Sequence, residues 1–377
     1  MSGKLKNLLN SIKKQYSFLK DKKVVLLYSG GVDTSFLIKI FKEEVGVKEL
    51  YAVTFDLGGF NKKEISKIIR RAKQLGAIHV YKNAKKDFVP YIQKAIQANA
   101  IYYGAHPLSS SLSRPLKSKL VLDIANKHAC SAIVHGSTSL QNNAVRFNKS
   151  FSFLHKEKNI KIITPLEDIE ISRELEYQYL ALSNLEIEQN EDNLFSSDCN
   201  YWALEGEDGR IRKEAFFQPD EPFFHMTVNP TKALKHPEYL DIYFNKGIPI
   251  SINKKKYSLL DLIEKLNKIA GKHGVGRYDS MEGRVQGFKE REIHEAPAAS
   301  VLIEAHKDLE RTILTNKELL DKGIADLKWI DKVCFGEWYA LSTQKLNVYI
   351  ESINKKITGT VRMELYKGHT RPVGRIV

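Results

Sequence analysis

A short apolar run that stops at a pair of glycines constrains the fold of this chain more than any other feature. Val24 to Tyr28 form the run, Ser29-Gly30-Gly31 end it, and apolar residues then recur at helical spacing from Phe36 to Phe41. This order predicts a buried strand, a tight turn and a helix. Strands that are apolar on both faces are typical of parallel sheets covered by helices, so we expect an α/β fold.

The same alternation of strand and helix continues to about residue 166. A second apolar run covers residues 50–55, and a third covers Ala132 to Val134. Ile162-Ile163 predict the last strand of this region. We therefore predict a parallel-sheet domain over residues 21–166, preceded by an amphipathic helical extension over residues 1–20.

The second half of the sequence has a different pattern. Residues 186–225 are polar and acidic with little periodicity, which predicts a loop or a surface excursion. A helical pattern follows at Leu259–Ala270, and we expect two final strands at Thr358–Leu365 and Val373–Val377. We interpret residues 167–377 as a mixed α+β domain.

Composition narrows the class of protein. The 377 residues carry a formal net charge of +14, but the lysines are spread along the chain among acidic residues, so we do not expect nucleic-acid binding. No apolar stretch approaches the roughly 20 residues that cross a bilayer, and the N-terminus lacks a secretory signal pattern. Three separated cysteines, Cys130, Cys199 and Cys334, predict neither a disulfide framework nor a thiolate metal site. We expect a cytoplasmic protein.

The segment from Tyr28 to Ser35 reads YSGGVDTS and predicts a phosphate-binding loop. Glycines let the backbone approach a phosphate closely, and the following helix offers unpaired N–H groups and the positive end of its dipole. The hydroxyl groups of Ser29, Thr34 and Ser35 add donors, and Asp33 could help to hold Mg²⁺ near the phosphates. The spacing matches neither of the common phosphate fingerprints, GxxxxGKS/T and GxGxxG. The alternative is an ordinary turn in which Asp33 caps the helix.

The string SGGxDTS resembles the signature of ATP pyrophosphatases, which split ATP into AMP and pyrophosphate. Further segments resemble argininosuccinate synthases, in that family's order; they are Ser111-Leu112-Ser113-Arg114-Pro115, His135-Gly136-Ser137-Thr138, Arg146-Phe147, Gly271 to Arg277, Glu295-Ala296-Pro297-Ala298, Gly359-Thr360-Val361 and Leu365 to Gly368. The resemblance implies a nucleotide-binding domain of the adenine nucleotide alpha hydrolase (PP-loop) type, followed by an α+β synthetase domain.

In that family, ATP activates the ureido oxygen of citrulline as an adenylate and releases pyrophosphate. The amino group of aspartate then expels AMP and forms argininosuccinate. The resemblance therefore implies an AMP-forming carbon–nitrogen ligase of arginine biosynthesis that uses ATP and Mg²⁺. It places at the nucleotide Tyr28, Ser29, Gly30, Gly31, Asp33, Thr34, Ser35, Phe55, Gly136 and Thr138. The candidate catalytic residues are Asp33, Thr138 and Asn142.

The resemblance also implies an amino-acid site, in which Arg146 grips the citrulline carboxylate and Glu282 binds citrulline. The implied set is His106, Ser111, Thr138, Asn142, Asn143, Arg146, Gln189, Asp198, Glu282 and His294. Five positions depart from the family, with Asn143 replacing an aspartate, His106 and His294 replacing tyrosines, and Gln189 and Asp198 replacing serines. The departures indicate either a changed substrate or drift within the same reaction.

Other functions stay open beside the family reaction. One is a related AMP-forming ligase with a different ureido or carboxyl acceptor or a different amine nucleophile. A tRNA-modifying enzyme with the same loop and a nucleotide-binding regulator without turnover are two more. Family members also carry a C-terminal helical arm that joins subunits into a tetramer. This sequence stops soon after Gly374-Arg375, so a homo-oligomer stays open but the family tetramer is not expected.

Overall fold

The computed structural model describes residues 3–138, 141–156, 159–169, 171–183, 195–208, 210–211, 214 and 216–377. Its helices are α1 (Gly3–Gln15), α2 (Val32–Ile40), α3 (Lys62–Gln74), α4 (Lys85–Gln97), α5 (Ser110–Lys127), α6 (Asn142–Leu154), α7 (Pro165–Asp168), α8 (Arg173–Leu180), α9 (Leu259–Lys272), α10 (Pro297–Ile313), α11 (Asn316–Cys334) and α12 (Leu341–Asn354). Within the described ranges, no helix is long and apolar enough to cross a bilayer.

The strands follow in the same chain order. They are β1 (Lys23–Leu27), β2 (Glu49–Asp56), β3 (Ile78–Asn83), β4 (Ile101–Tyr102), β5 (His106–Pro107), β6 (Ala132–Val134), β7 (Lys161–Ile163), β8 (Phe195–Cys199), β9 (Leu204–Asp208), β10 (Glu238–Asn245), β11 (Ile248–Ile252), β12 (Lys255–Lys256), β13 (Arg277–Gly283), β14 (Lys289–Glu295), β15 (Gly359–Tyr366) and β16 (His369–Ile376).

The chain divides into two compact units, and each is discontinuous in sequence. Unit 1 comprises residues 1–56, 60–84 and 114–190, and unit 2 comprises residues 57–59, 85–113 and 191–377. The predicted division at residues 20 and 166 stays a prediction about folding domains.

Unit 1 is built on a five-stranded sheet in the order β3-β2-β1-β6-β7, and every neighbouring pair of strands is parallel. Val24, Val25 and Leu26 of β1 are fully buried, and β1 pairs with β2 on one side and with β6 on the other. A central strand covered on both faces requires such a continuous apolar run. The predicted parallel sheet is confirmed.

The N-terminal helix belongs to the core of unit 1. Leu5, Leu9 and Ile12 lie on one side of α1 and are buried in the same apolar cluster as Phe36 and Phe41. Each fully buried leucine or isoleucine side chain stabilises a fold by about 1.5–3 kcal/mol. The predicted N-terminal helix is therefore confirmed as a helix, and its apolar stripe contributes to stability.

The order of strands in unit 1 reverses between β1 and β6. From β1 the chain adds β2 and β3 outward, and it later returns to the opposite side of β1 for β6 and β7. Ligands of parallel α/β sheets bind at the carboxyl ends of the strands where the order reverses. Ser29-Gly30-Gly31 follows β1, and Gly136-Ser137-Thr138 follows β6. Both predicted nucleotide segments therefore lie at this reversal point.

Unit 2 contains two larger antiparallel sheets, in the orders β12-β11-β10-β15-β16 and β13-β14-β9-β8. A buried polar network connects α4 to the helices of this unit. Lys322 Nζ donates to Gln97 O at 2.8 Å and to Asp326 Oδ2 at 2.6 Å, and it lies 3.0 Å from Glu310 Oε1. Asn99 Nδ2 donates to Glu310 Oε2 at 2.7 Å. These bonds hold the segment 85–113 in unit 2.

Two predictions about the second half are wrong in detail. The sequence of residues 186–225 predicts a loop or a surface excursion, but their described part contains the antiparallel pair β8 and β9. The apolar alternation is hidden there, because one face of the pair carries Asp198 and Glu205. The last strand begins at His369, earlier than expected, whereas the helix predicted at Leu259–Ala270 is confirmed and spans Leu259–Lys272.

Candidate nucleotide and amino-acid site

In unit 1, the loop after β1 is held by its own hydroxyl groups. Ser29 Oγ accepts from Gly31 N–H at 3.3 Å and lies 3.2 Å from Thr34 Oγ1. Ser35 Oγ donates to Gly31 O at 2.7 Å and lies 3.2 Å from the hydroxyl of Tyr28. The N-cap residue of helix α2 is Gly31, which has no side chain to cap it, so the first amides of the helix are left for another acceptor. The loop and the start of α2 together present the donors that an anion requires.

Gly30 is required at its position for two separate reasons. Its φ of +86° lies in the left-handed region that glycine adopts most readily. A Cβ at this position would lie 2.5 Å from Cγ1 of Ile68, on helix α3. The same helix also supplies Arg71, whose guanidinium donates to the carbonyl oxygen of Gly30. Helix α3 thus fixes the backbone of the loop from one side.

The loop after β6 lies close to the first turn of α2. A Cβ on Gly136 would lie 3.1 Å from Cγ2 of Thr34, so a residue without a side chain lets this loop approach the helix closely. The preceding residue, His135, is buried with its Nε2 3.0 Å from Asn148 Oδ1. Burial lowers the pKa of His135 to about 4, so this ring is neutral at neutral pH. Phe55 is buried near the carboxyl end of β2, beside β1.

Asp33, on the first turn of α2, is engaged by an arginine. Its carboxylate pairs with Arg173 at the start of α8, and the same guanidinium lies 3.2 Å from Glu176 Oε2. Burial and the neighbouring charge of Asp33 raise the pKa of Glu176 well above its usual range, so this carboxyl is protonated at neutral pH. Asp33 therefore lies beside an arginine in the first turn of the helix that follows the phosphate loop.

Helix α6 of unit 1 carries three of the predicted substrate residues. Thr138 O accepts from Gln141 N–H at 3.1 Å just before the helix begins. Asn142 and Arg146 are 3% and 4% exposed and lie one turn apart, so they share a face of the helix. Asn143 is the residue after Asn142, and its buried Oδ1 has no hydrogen-bond partner among the described residues. A buried oxygen in this state can accept from a ligand N–H group.

In unit 2, the sheet β13-β14-β9-β8 collects three predicted substrate residues on one face. Asp198 pairs with Glu205, and Glu205 pairs with His294 across the ladder. Glu282 pairs with Glu290, which lies four residues before His294 on β14. Because side chains alternate along a strand, an even separation keeps all of these groups on the same face.

A second histidine lies against this face. The ring of His106, on β5, stacks on the ring of His294 with centroids 3.7 Å apart and planes 14° apart. His106 Nδ1 lies 2.8 Å from Ser280 Oγ. The His106 ring also stacks on Tyr102, with centroids 5.3 Å apart. The two predicted histidines are thus one stacked pair.

The remaining predicted serine lies next to the same face. Ser111 is buried in the first turn of α5, and the N–H of the preceding Ser110 donates to Glu205 Oε1 at 2.7 Å. The described residues of unit 2 that are predicted to bind substrate therefore all lie on this sheet face or beside it. We call it the acidic face, because it carries Asp198, Glu205, Glu282 and Glu290. The predicted residue Gln189 lies outside the described residues.

Several charged residues of this face were missed by the sequence analysis. Arg284 donates to three carboxylates, with Nε 2.7 Å from Glu290, Nη1 3.2 Å from Glu282 and Nη2 2.6 Å from Glu292. Glu205 was missed as well. The sequence holds one signal for them, because Glu290, Glu292 and His294 recur at every second position, as do side chains on one face of a strand.

Comparison with known proteins identifies the family. A profile of the arginosuccinate synthase N-terminal HUP domain matches residues 23–186, and one of the arginosuccinate synthase C-terminal domain matches residues 195–377. The chain belongs to the argininosuccinate synthase family. Argininosuccinate synthases of Pyrococcus furiosus and Oceanobacillus iheyensis are both 40% identical to it over 355 residues, or 94% of this chain and 84% of each relative. That of Pyrobaculum aerophilum is 40% identical over 356 residues, or 94% of this chain and 88% of the relative.

Family membership confirms both the resemblance and the fold class. The HUP domain of argininosuccinate synthases matches the region that contains the parallel sheet of unit 1. The predicted nucleotide residues all lie in unit 1, and all of them except Phe55 follow β1 or β6 at the reversal point of the sheet. The departures at His106, His294 and Asp198 all lie in unit 2, on or beside the acidic face.

Proposed function

We propose that this chain uses ATP to join citrulline and aspartate. The ureido oxygen of citrulline attacks the α-phosphorus of ATP, and pyrophosphate leaves with the bridging oxygen. The amino nitrogen of aspartate then attacks the ureido carbon, loses a proton, and expels AMP to leave argininosuccinate. Relatives that are 40% identical over 94% of the chain carry the name argininosuccinate synthase.

One geometric observation supports the nucleotide part of this proposal most directly. Helix α2 begins directly after two glycines, at the point where the strand order of the sheet reverses, and its N-cap residue has no side chain. Backbone amides and a helix N-terminus bind phosphate without side-chain charge, so the α-phosphorus stays accessible to an incoming oxygen. Catalysis in such a site comes mainly from positioning and from stabilisation of the phosphate charge.

The amino-acid substrates are assigned to the remaining predicted residues. Arg146 would hold the citrulline carboxylate as a planar, two-pronged donor, and Asn142 would lie between the two amino-acid substrates. Glu282 would hold the citrulline amine. Thr138 would contact both the nucleotide and aspartate, and Asn143 would take the position of the aspartate that the family uses.

Mg²⁺ is part of the proposal through Asp33. Magnesium binds nucleotides largely through phosphate oxygens and waters, with one or two carboxylates from the protein. Asp33 offers one such carboxylate at the loop, and its pairing with Arg173 is compatible with a role that begins when the nucleotide arrives. The dependence of turnover on Mg²⁺, measured with ATP held constant, tests this assignment.

Pyrophosphate release tests the overall function. With ATP and Mg²⁺, release should require citrulline, and argininosuccinate should appear by mass spectrometry once aspartate is added. Arg146→Gln should raise the KM for citrulline and leave the Kd for ATP unchanged. If saturating citrulline and aspartate yield no AMP from the purified chain, the assignment to this reaction is wrong.

A related ligase with a different acceptor is a second candidate, and the acidic face of unit 2 favours it. His106 and His294 stand where the family has tyrosines, so the acceptor meets imidazole rings in place of phenols. ATP–pyrophosphate exchange across a panel of ureido and carboxyl compounds separates the two functions. If citrulline is the only compound of the panel that supports exchange, the second candidate is excluded.

A further inference from the structure

His294 is a buried histidine whose ring nitrogens make no hydrogen bond to any described residue. It is 1% exposed, and both Nδ1 and Nε2 lack a partner of hydrogen-bond geometry. Nε2 lies 3.3 Å from Glu292 Oε2, close enough for an ion pair. A buried polar ring in this state needs an explanation, since most buried polar groups are hydrogen-bonded.

The charges around His294 favour its protonated form. Burial opposes the charge, but the carboxylates of Glu292, Glu205 and Glu282 outweigh burial and raise the pKa of His294 above its usual value. The neighbouring ring of His106, 3.7 Å away, is too close to carry a second positive charge at low cost. We therefore assign the positive charge of the stacked pair to His294, whose pKa is the one raised by the carboxylates.

Among the residues that the structure describes, negative charge exceeds positive charge on this face even so. The described titratable or charged groups that share the face with His294 or lie against it are Glu290 and Glu292 on β14, Tyr278 and Glu282 on β13, Arg284 after β13, Glu205 on β9, Asp198 on β8, His106 on β5 and Tyr102 on β4. Five of these groups are carboxyls and one is an arginine. A proton or a ligand cation on such a face offsets part of its negative charge.

We propose that the proton on His294 is the counter-cation of this face in the free protein, and that the ammonium group of the acceptor substrate displaces it on binding. The inference rests on the proposed function, because it assigns this face to the acceptor. Two cations near the same carboxylates repel each other, so binding of the ammonium lowers the proton affinity of His294. An N–H bond of the imidazolium breaks, its electron pair stays on the ring nitrogen, and water or a buffer base accepts the proton; no other covalent bond changes.

The linkage has a definite sign. A ligand whose binding releases a proton binds more tightly as the pH rises, until His294 is already deprotonated in the free protein. A like charge within about 4–6 Å lowers a histidine pKa by about 1–3 units. The affinity for an acceptor amine should therefore rise by about three- to tenfold per pH unit below the pKa of His294 and level off above it.

Calorimetry with L-citrulline and the full-length chain tests the proposal. Titrations at one pH in phosphate and in Tris, which differ in ionisation enthalpy, give the number of protons exchanged. We expect a net release of up to about one proton, and a KM for citrulline that falls from about pH 6 to about pH 8 in the pyrophosphate assay. Proton uptake on binding would mean that His294 donates to an acceptor anion, and it would overturn the proposal, as would zero exchange.

Three variants test whether the released proton comes from His294 or from another group. His294→Tyr places the family residue at the position and should abolish proton release and flatten the pH dependence. Glu292→Gln removes the carboxylate nearest Nε2 and should shift the pH dependence to lower pH. His369→Tyr, at an exposed histidine on the other large sheet of unit 2, should leave proton release unchanged. If citrulline binds to the unaltered chain without proton release, this inference alone is wrong. If citrulline neither binds nor supports pyrophosphate release from ATP, the proposed function is wrong as well.

Discussion

Replacing Gly30 by alanine tests the phosphate loop at its most constrained position. An L-residue in the left-handed region costs about 1–2 kcal/mol, and φ at Gly30 is +86°. The added Cβ would lie 2.5 Å from Ile68 Cγ1, near the root of a stiff side chain, and such overpacking costs about 1–3 kcal/mol. The combined expectation for Gly30→Ala is about 2–5 kcal/mol.

This energy is measurable in two places. If the loop keeps its conformation, the free energy of unfolding falls by that amount in urea titrations. If the loop moves to relieve the strain, the affinity for ATP falls instead, by about 30-fold for each 2 kcal/mol. Calorimetry with MgATP and urea unfolding on the same preparation should together account for the loss.

Two further variants divide the effect. Gly30→Ala combined with Ile68→Ala should remove the steric part and leave the backbone part of about 1–2 kcal/mol, as judged by a double-mutant cycle. Gly31→Ala is the matched control, because φ at Gly31 is −75° and its Cβ would meet only Ser29 Oγ, at 3.4 Å. It should change the unfolding free energy by less than about 0.5 kcal/mol. Gly30→Ala with unchanged stability and unchanged ATP affinity would refute the reasoning.

Three other substitutions test other parts of the structure. Arg173→Ala leaves the carboxylate of Asp33 unscreened beside the phosphates and should weaken ATP binding by about two- to fivefold, since an exposed ion pair contributes at most about 1 kcal/mol; Arg173→Lys should retain most of the affinity in the same calorimetric assay. The raised pKa of Glu176 means that the folded chain holds this proton more tightly than the unfolded chain, so its contribution to stability is present at low pH and is lost as pH rises above about 4.5. Glu176→Gln should therefore reduce the fall in unfolding free energy between about pH 5 and about pH 8, and an unchanged fall would contradict the assignment. Lys322→Met leaves buried carboxylates unpaired and should lower the unfolding free energy by about 3–5 kcal/mol, with part of that loss recovered when Asp326→Asn is added.

The sequence predicts the nucleotide half of the site because its determinants are local. The apolar run at Val24 to Tyr28, the two glycines and the helix that follows are adjacent in the chain, and their order alone predicts a strand, a turn and a helix N-terminus. The contact between helix α3 and the loop could not be predicted from the sequence. Arg71 and Ile68 reach Gly30 from about 40 residues away, and in the sequence they are ordinary members of an amphipathic helix.

The acidic face of unit 2 was only partly predictable for a similar reason. His106 and His294 are separated by 188 positions, and their stacking depends on how β5 meets β14. Each residue alone is compatible with a buried core histidine. Strand pairing then brings Asp198 and Glu205 beside them, through a pair of strands that polar composition had hidden. Long-range pairing of this kind leaves no periodic signal in the local sequence.

The bonds that hold α4 in unit 2 can form only late in the synthesis of the chain. The carbonyl of Gln97 accepts from Lys322 and from Asn354, which are made 225 and 257 residues later. At about 5–20 residues per second, a ribosome takes on the order of 10–50 s to deliver the last of these partners. Throughout that interval the apolar side of α4, with Phe88 and Ile92, has no unit 2 core to enter. A fragment that stops after the parallel sheet would keep this helix uncovered permanently, so isolating the nucleotide-binding half as a stable protein requires replacing residues 85–113 with a short linker.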